Sequence, residues 1–326
     1  MLPSPLVIPS SDRPFIGSSL CVVGNINRDI KTAPLHAGDH LFSDGETSVA
    51  TIAETIGGGG ANSAFAAAAL GAKVAFLGKV GADALGERLE RTLVQHGITA
   101  HLAKDRIHPS GTSIALSFKN GHRHFISCLP ANGALSFEDL DLNALTGHDH
   151  LLRSDVWFSE SMLNEGNKLL FQAARKAGVT VSLDMNWDPK WGHASEVEIC
   201  LRKQAIRDVL PWVNIVHGNV RELMEFTEAP DLDSALTRLT DWGVESVVVH
   251  LGAKGAGYYQ QGQLIVEPTV PVKAATNATG TGDVLSVCMM LMHRQTGIPI
   301  PERLRFANGI VAEFMEGKRR LIPDLG

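Results

Sequence analysis

Cysteine and long apolar runs are both scarce in this sequence of 326 residues. The four cysteines are widely separated and none forms a C-x-x-C pair, so the sequence predicts neither a disulfide framework nor a zinc site. No apolar run approaches the roughly 18 residues that span a bilayer, and the N-terminus lacks the regions of a signal peptide. We therefore expect a cytoplasmic protein without a membrane partner.

Positive charge is also limited: the chain has 29 Lys and Arg residues against 35 Asp and Glu residues, which gives a formal net charge of -6. A chain that binds nucleic acid along its surface normally carries a basic excess, so we expect no nucleic-acid partner. Hydrophobic residues, in contrast, make up 44% of the chain. At this length that share is enough for the core of a large α/β domain.

Short apolar runs that end in glycine or polar residues alternate with helical stretches along the chain. Ser18 to Gly24 is the first such run, and Val179 to Asp184 and Val247 to His250 are later ones. Runs of this length are typical of buried parallel strands, so the alternation predicts an α/β fold with a mostly parallel central sheet. Because the carboxyl ends of parallel strands share one edge, we expect the polar residues after these runs to converge there.

Two segments, 30–56 and 111–128, interrupt this alternation with short β-type stretches and turn residues. The second contains Asn120-Gly121, a strong signal for a β-hairpin. We expect the two segments to form a small β-sheet lid inserted in a single domain that covers residues 1–326.

The stretch on which the function depends is Thr279-Gly280-Thr281-Gly282-Asp283, directly ahead of an apolar run typical of a buried helix. Glycines allow successive backbone N–H groups to point into one space, and a helix N-terminus favours an anion. Asp283 is then placed to accept a proton from an attacking hydroxyl, while those N–H groups stabilise developing negative charge. An ordinary turn with a helix cap is the alternative.

Two polar stretches near the N-terminus are candidates for sugar binding. Asn27 and Asp29 would lie on one face of an extended chain, where their oxygens could hold vicinal hydroxyls; a polar turn is the alternative. Gly57-Gly58-Gly59-Gly60-Ala61-Asn62 opens an Ala-rich helical run, and its glycines permit close approach of a ligand. Asn62 occupies the final glycine position of a G-x-G-x-x-G pattern, which weakens a dinucleotide-binding interpretation.

Other polar groups follow later strands. Val156 to Glu160 has the pattern of a strand that ends in a carboxylate. Asn219 and Glu222 are three residues apart at a predicted helix start, where they could order Mg²⁺ and its waters. A capping box is the alternative, and these two residues alone favour it. Gly252 and Gly255 form a flexible turn that could face a nucleotide.

Five motifs occur in the order and spacing of the ribokinase-like (PfkB) carbohydrate kinases, and the chain resembles that family from about Ser18 to its last helix. The motifs are Gly24–Asp29, Gly57–Asn62, Val80–Asp83 with Gly86, Asn219–Glu222 and Gly280–Asp283. The resemblance implies a three-layer α/β/α fold with a β-sheet lid. It also implies transfer of a phosphoryl group from ATP, as its Mg²⁺ complex, to a sugar hydroxyl.

The resemblance assigns roles residue by residue. It makes Asp283 the general base and places the anion hole at Gly280, Thr281 and Gly282. Sugar contacts fall on Asn27, Asp29, Gly58, Gly59, Asn62 and Glu160. Nucleotide and metal roles fall on Asn219, Glu222 (Mg²⁺, through water), His250, Gly252, Gly255 and Asn308.

Three departures from the family pattern bear on the substrate and the cations. Asp188 stands where many relatives carry Arg, so we expect a neutral sugar such as ribose or fructose rather than an acidic one. Gly59 stands where ribokinase has a Lys near the sugar. Asn277 replaces an Asp that often helps to hold a monovalent cation, so dependence on K⁺ stays open.

Two alternatives to a sugar kinase remain at this level. The first is a nucleoside kinase of the same fold, since a pair such as Asn27 and Asp29 suits any vicinal diol. The second is a non-catalytic sugar-binding or regulatory homologue, which the change at Asn277 motivates. In the family the lid often serves as a dimer contact, so the resemblance also implies a homodimer through the lid.

Overall fold

A nine-stranded sheet forms the centre of the computed structural model, which describes residues 12–120, 122–273 and 279–325. Within those residues the strands are β1 (Ser19–Val23), β2 (Asn27–Thr32), β3 (Ile52–Gly57), β4 (Lys73–Gly81), β5 (Thr99–Asp105), β6 (Thr112–Ser117), β7 (Arg123–Cys128), β8 (His150–Arg153), β9 (Thr180–Asp184), β10 (Ile215–Asn219), β11 (Ser246–His250), β12 (Ala256–Gln260) and β13 (Gln263–Glu267).

The order of strands in the central sheet is β13-β12-β11-β10-β9-β8-β1-β4-β5. All neighbouring pairs are parallel except β11 with β12 and β12 with β13, which are antiparallel. Every residue of β1 is buried, as expected for a strand that is covered on both faces. The predicted α/β fold with a mostly parallel sheet is confirmed.

Helices cover both faces of this sheet. They are α1 (Gly59–Ala69), α2 (Ala84–Gln95), α3 (Pro130–Gly133), α4 (Asn167–Lys176), α5 (Glu196–Arg207), α6 (Val220–Thr227), α7 (Leu232–Asp241), α8 (Thr281–Leu291) and α9 (Ile300–Met315). Apolar residues of α1, α2, α8 and α9 form the core on one face, and those of α4 to α7 form the core on the other. Helix α8 is buried from Val284 to Leu291, so the apolar run after the Gly-Thr-Gly-Asp turn is a core helix.

The remaining strands form the expected lid, a four-stranded sheet in the order β3-β2-β6-β7. Strand β2 pairs antiparallel with β3 and parallel with β6, and β6 and β7 form the hairpin predicted from Asn120-Gly121, of which Gly121 lies outside the described residues. The strands of the lid meet the rest of the protein near Asn27 and Gly57, which are paired in register. The sugar-binding candidates therefore lie where the lid joins the central sheet.

The strand predicted from Val156 to Glu160 is wrong. The strand in this region is β8, which ends at Arg153, and the chain then turns at Asp155 with a left-handed φ of 54°. Val156 and Trp157 are apolar because they are buried in the core, where the Trp157 ring lies 5.1 Å from that of Trp191. The first carboxylate after the strand is consequently that of Asp155, not Glu160.

No helix in the described ranges is both long and apolar enough to cross a membrane.

Candidate active site

The turn before α8 has the geometry of an anion-binding site. Gly280 has a φ of 85° and caps the helix, which begins at Thr281. The first intrahelical bond runs from Val284 N to Gly280 O at 3.0 Å, so the N–H groups of Thr281, Gly282 and Asp283 have no acceptor within the helix. Free N–H groups and the positive end of the helix dipole favour an anion at this position.

Side chains pack closely around this turn, and the φ of 85° at Gly280 favours glycine there. A Cβ atom on Gly280 would lie 2.5 Å from Cδ1 of Ile322, and one on Gly282 would lie 3.0 Å from Nδ1 of His250. The other ring nitrogen of His250, Nε2, is hydrogen-bonded to Oγ of Ser286 at 3.0 Å. Burial lowers the pKa of His250 to about 4, so a neutral imidazole supports the first turn of α8.

Asp283 is the third residue of α8 and is half-buried at the mouth of this turn. Its Oδ2 accepts a hydrogen bond of 2.9 Å from Nδ2 of Asn62, in the first turn of α1. The pKa of Asp283 is raised to about 7, chiefly by burial and also by the charges of Asp155 and Glu222, while the Asn62 hydrogen bond lowers it. A carboxylate with such a pKa can accept and return a proton near neutral pH.

Asn27 and Asp29 lie side by side on β2, as the sequence predicts for an extended segment. Nδ2 of Asn27 donates to Oδ1 of Asp29 at 2.8 Å. Burial raises the pKa of Asp29 to about 6, while Lys31 and the Asn27 hydrogen bond lower it. A Cβ atom on Gly57 would lie 2.0 Å from Oδ1 of Asp29, so the glycine-rich loop passes directly beside this carboxylate.

Gly58 and Gly59 form the turn into α1. Gly58 has a φ of 96°, and a Cβ atom there would lie 2.3 Å from the carbonyl oxygen of Asn25. Gly59 is the first residue of α1, three positions before Asn62. The structure thus places the glycine loop between the end of β1 and the residue that holds Asp283.

Asp155 is the functional candidate that the sequence analysis missed. Its Oδ2 accepts hydrogen bonds from the backbone N–H groups of Asn25 (2.9 Å) and Gly60 (2.8 Å), and its Oδ1 accepts one from Gly59 (3.2 Å). Its own N–H donates to Oδ1 of Asn186 at 2.7 Å. A buried carboxylate therefore caps α1 and fixes the loop beside the sugar-binding candidates. The available signal was its place three residues after the apolar pair Leu151-Leu152.

Glu160 lies outside this group of residues. Its side chain is exposed, and its Oε1 accepts from Nζ of Lys190 at 2.9 Å and also pairs with Arg202. Arg202 in turn bonds through Nε to Oδ2 of Asp188 at 2.7 Å. The structure does not bring Glu160 to the other sugar-binding candidates, so we no longer assign it to the site.

The Asn219–Glu222 pair forms a capping box at the start of α6. The N–H of Asn219 donates to Oε2 of Glu222 at 2.8 Å, and the N–H of Glu222 donates to Oδ1 of Asn219 at 2.9 Å. Burial raises the pKa of Glu222 and also that of Asp184, at the end of β9; the charges of Asp283 and Glu222 raise the pKa of Asp184 further. Asp184, Glu222 and Asp283 are therefore acidic groups close enough to affect one another's ionisation.

The described residues contain no cluster of three or more side chains that could ligate a metal directly. Glu222 keeps one carboxylate oxygen outside its capping box, and Asp184 and Asp283 lie near enough to be affected by its charge. Magnesium binds oxygen ligands and usually keeps several of its waters. The donor set thus fits a Mg²⁺ ion held mainly through water.

Two of the remaining nucleotide-side candidates, Gly255 and Asn308, lie at the end of β13. Gly252 and Gly255 have φ values of 59° and 104°, and a Cβ atom on Gly255 would lie 2.1 Å from the carbonyl oxygen of Glu267. Nδ2 of Asn308, on α9, donates to the carbonyl oxygens of Glu267 (3.1 Å) and Pro268 (3.0 Å). Gly255 and Asn308 thus contact the same segment. Asn277, which bears on K⁺ binding, lies outside the described residues.

Comparison with known proteins agrees with this architecture. The model of the pfkB family of carbohydrate kinases matches residues 18–313. A ribokinase from Arabidopsis thaliana is 27% identical, in an alignment that covers 94% of this chain and 78% of the ribokinase. A fructokinase from Vibrio alginolyticus is 26% identical, in an alignment that covers 87% of this chain and 92% of the fructokinase.

Among solved structures, an Escherichia coli protein described as a ribokinase II, in complex with ATP and Mg²⁺, superposes with a TM-score of 0.77 at 22% identity and covers 94% of each chain. That similarity shows the ribokinase fold. The family match extends over most of the sequence, and the resemblance found in the motifs is confirmed. The chain belongs to the pfkB family of carbohydrate kinases, which are ATP-dependent enzymes.

Proposed function

We propose that this chain transfers the terminal phosphoryl group of ATP to a hydroxyl of a sugar, with Asp283 as general base. The observation that carries the proposal is the environment of Asp283: it lies at the N-terminus of α8, its pKa is raised to about 7, and Asn62 holds its carboxylate at 2.9 Å. A base and an anion site then share one helical turn, as phosphoryl transfer requires.

In the reaction, the hydroxyl oxygen of the sugar forms a bond to the terminal phosphorus of ATP. The bond from that phosphorus to the bridging oxygen breaks, and ADP leaves with the electron pair. The proton of the hydroxyl passes to the carboxylate of Asp283. The N–H groups of Gly280, Thr281 and Gly282 stabilise the charge on the transferred group.

On the sugar side, Asn27 and Asp29 bind adjacent hydroxyls, while Gly58, Gly59 and Asn62 form the opposite wall. Asp155 positions this wall through its bonds to Gly59 and Gly60 without being exposed itself. We assign Asp155 as a positioning residue. The relatives named ribokinase and fructokinase support a sugar as the acceptor.

On the nucleotide side, Gly252, Gly255, His250 and Asn308 line the path to the anion hole in this proposal. Asn219 and Glu222 would hold Mg²⁺ through its waters, and the ion would offset negative charge on the phosphates. Asp184 lies near Glu222, and a cation there would relieve the repulsion that raises the pKa of Asp184.

The test is ADP release from Mg-ATP with ribose, fructose, other sugars and nucleosides, with and without K⁺, for the wild type and for Asp283→Asn. We expect acceptor-dependent turnover in the wild type and a decrease of about 10² to 10⁴ in the variant, the usual contribution of a general base. Turnover with nucleosides alone would make this a nucleoside kinase. Sugar binding without any turnover would identify a non-catalytic homologue, and equal turnover of the variant would remove Asp283 from the mechanism.

A further inference from the structure

The inner face of the lid sheet carries two positive charges that the proposed reaction does not use. Side chains alternate along a strand, so Lys31 lies on the same face of β2 as Asn27 and Asp29. Lys31 pairs with Ala115 of β6, and Ser117, two positions further along β6, lies on the same face. Arg123 of β7 pairs with Ser117 and therefore shares this face. A row of polar groups therefore runs from Asn27 and Asp29 to Lys31 and on to Arg123.

Arg123 reaches the anion hole from the far end of the lid. Its Nη1 donates a hydrogen bond of 2.5 Å to Oγ1 of Thr279. Thr279 directly precedes Gly280, the residue that caps α8. The guanidinium group is therefore held at the entrance of the acceptor pocket, opposite the end that contains Asp29.

No carboxylate neutralises these two cations through an ion pair within the described residues. Among those residues the side chain of Lys31 has neither a hydrogen bond nor an ion pair, and the side chain of Arg123 bonds to the hydroxyl of Thr279. The carboxylates near Lys31 are Asp29, which Asn27 already binds, and Asp324, which pairs with Arg320. Burial lowers the pKa of Lys31, the charge of Asp29 raises it, the repulsion from Arg123 lowers it, and the charge of Asp324 raises it.

The position of Asp188 removes the reason for expecting a neutral sugar. Its side chain is fully buried, and its carboxylate is bonded to the guanidinium group of Arg202. The negative charge that the sequence places after β9 is thus balanced inside the protein. It does not repel an anionic substrate, whereas Lys31 and Arg123 would attract one.

We propose that Lys31 and Arg123 form a subsite for an anionic group, a phosphate or a carboxylate, carried by the acceptor sugar. In this arrangement Asp29 and Asn27 bind two hydroxyls and the anionic group lies farther along the lid. The inference rests on the proposed function. The terminal phosphate of ATP is the other anion that comes close to Thr279, and the experiment separates the two sources.

The experiment measures kcat and KM for matched acceptors, fructose with fructose 6-phosphate and glucose with gluconate, at saturating Mg-ATP. The variants are Lys31→Met and Arg123→Met, with Lys31→Arg as the variant that keeps the charge. Lys119→Met is the matched control, because Lys119 is an exposed lid cation whose bond is to His36. Melting temperatures of all variants check that the fold is retained.

We expect the wild type to prefer the anionic member of at least one pair. In Lys31→Met and Arg123→Met the ratio of kcat/KM between anionic and neutral acceptors should fall by about 10- to 100-fold, the usual effect of losing a hydrogen bond to a charged group. The fall should appear mainly as a higher KM for the anionic acceptor. Lys31→Arg should restore most of the ratio, and Lys119→Met should leave it unchanged.

Two outcomes would overturn the subsite. The first is a wild-type preference for the neutral member of both pairs. The second is an equal loss of kcat with both members of a pair in the variants, which would assign the two cations to the phosphate of ATP. Absence of acceptor-dependent ADP release in the wild type would instead overturn the proposed function, and the inference with it.

Discussion

The side-chain amide of Asn62 donates a hydrogen bond of 2.9 Å to the carboxylate of Asp283, although the two residues are 221 positions apart. The bond joins the first turn of α1 to the first turn of α8. Each helix begins at a glycine-containing turn, so the proposed sugar pocket and anion hole meet at this single contact. The protonation of Asp283 therefore depends on both helices.

The pH dependence of turnover should report the ionisation of Asp283. Its pKa is raised to about 7 by burial, and only the ionised carboxylate can accept the proton of the sugar hydroxyl. Below this pKa we expect kcat/KM to increase about tenfold with each unit of increasing pH, and above it we expect kcat/KM to level off. ADP release between pH 5 and pH 9 would show this, and a flat profile over that range would contradict the assignment.

Replacing Asn62 by Leu should move that profile. The amide stabilises the ionised carboxylate, so its removal raises the pKa of Asp283 and shifts the midpoint to higher pH. At pH 7 we expect kcat/KM to fall about tenfold or more, as for loss of a hydrogen bond to a charged group.

Ser63→Ala is the matched control for Asn62→Leu. Ser63 is the next residue of α1, and its buried hydroxyl has no partner among the residues that the structure describes. Its removal should leave the pH midpoint in place. A midpoint that stays unchanged in Asn62→Leu as well would show that the amide does not control the ionisation of Asp283.

Asp155→Asn should reduce both stability and affinity for the acceptor. Both carboxylate oxygens of Asp155 accept hydrogen bonds, from three backbone N–H groups in all. The amide of Asn has only one oxygen to accept with, so at least one of these N–H groups loses its partner. We expect a decrease of about 1 to 3 kcal/mol in the free energy of unfolding and a higher KM for the sugar. Urea denaturation and acceptor titrations measure the two effects.

Glu160→Gln provides the comparison for Asp155→Asn. Its carboxylate pairs with Lys190 and Arg202 and is half exposed, so its replacement should change the free energy of unfolding by less than about 1 kcal/mol. The KM for the acceptor should stay as in the wild type. A large change in KM for Glu160→Gln would restore the role that the motif resemblance gives to this residue.

The outer face of the lid should pair with that of a second copy of the chain. Ile30, Ile114 and Ile126 lie in register across β2, β6 and β7, and Ile114 and Ile126 are 39% and 55% exposed. An apolar row of this kind on one sheet face is typical of an interface. Sedimentation should show a dimer for the wild type and a monomer for Ile126→Lys; a monomeric wild type would exclude the pairing.

The sequence predicted local geometry wherever that geometry depends on neighbouring residues. The anion turn, the Asn27 and Asp29 pair and the glycine loop each follow from local spacing, and the parallel sheet follows from the alternation of apolar runs. Asp155 was missed for the opposite reason. The backbone N–H groups that bind its carboxylate are 95 to 130 residues away, and the apolar residues that follow it resemble a strand although they belong to the core.

The contacts of the lid show the same limit. The bond from Arg123 to Thr279 joins residues 156 positions apart, and it depends on how the lid lies over the central sheet. No local pattern contains that information. The burial of Asp188 against Arg202 is a comparable case, since its motif position alone suggested a charge that faces the substrate.

The four strands of the lid join the rest of the molecule at one end, and Glu54 and Thr55 of β3 also contact Arg88 and Asp324. Asn27, Gly57, Thr112 and Cys128 lie next to one another at the same end of its four strands. A rotation of the sheet about this end would break the contacts of Glu54 and Thr55 and act as a lever, with Asn27 close to the axis and Arg123 far from it. Opening would then release the far end of a substrate first while its hydroxyls stay engaged, so products would leave through the gap between Arg123 and Thr279.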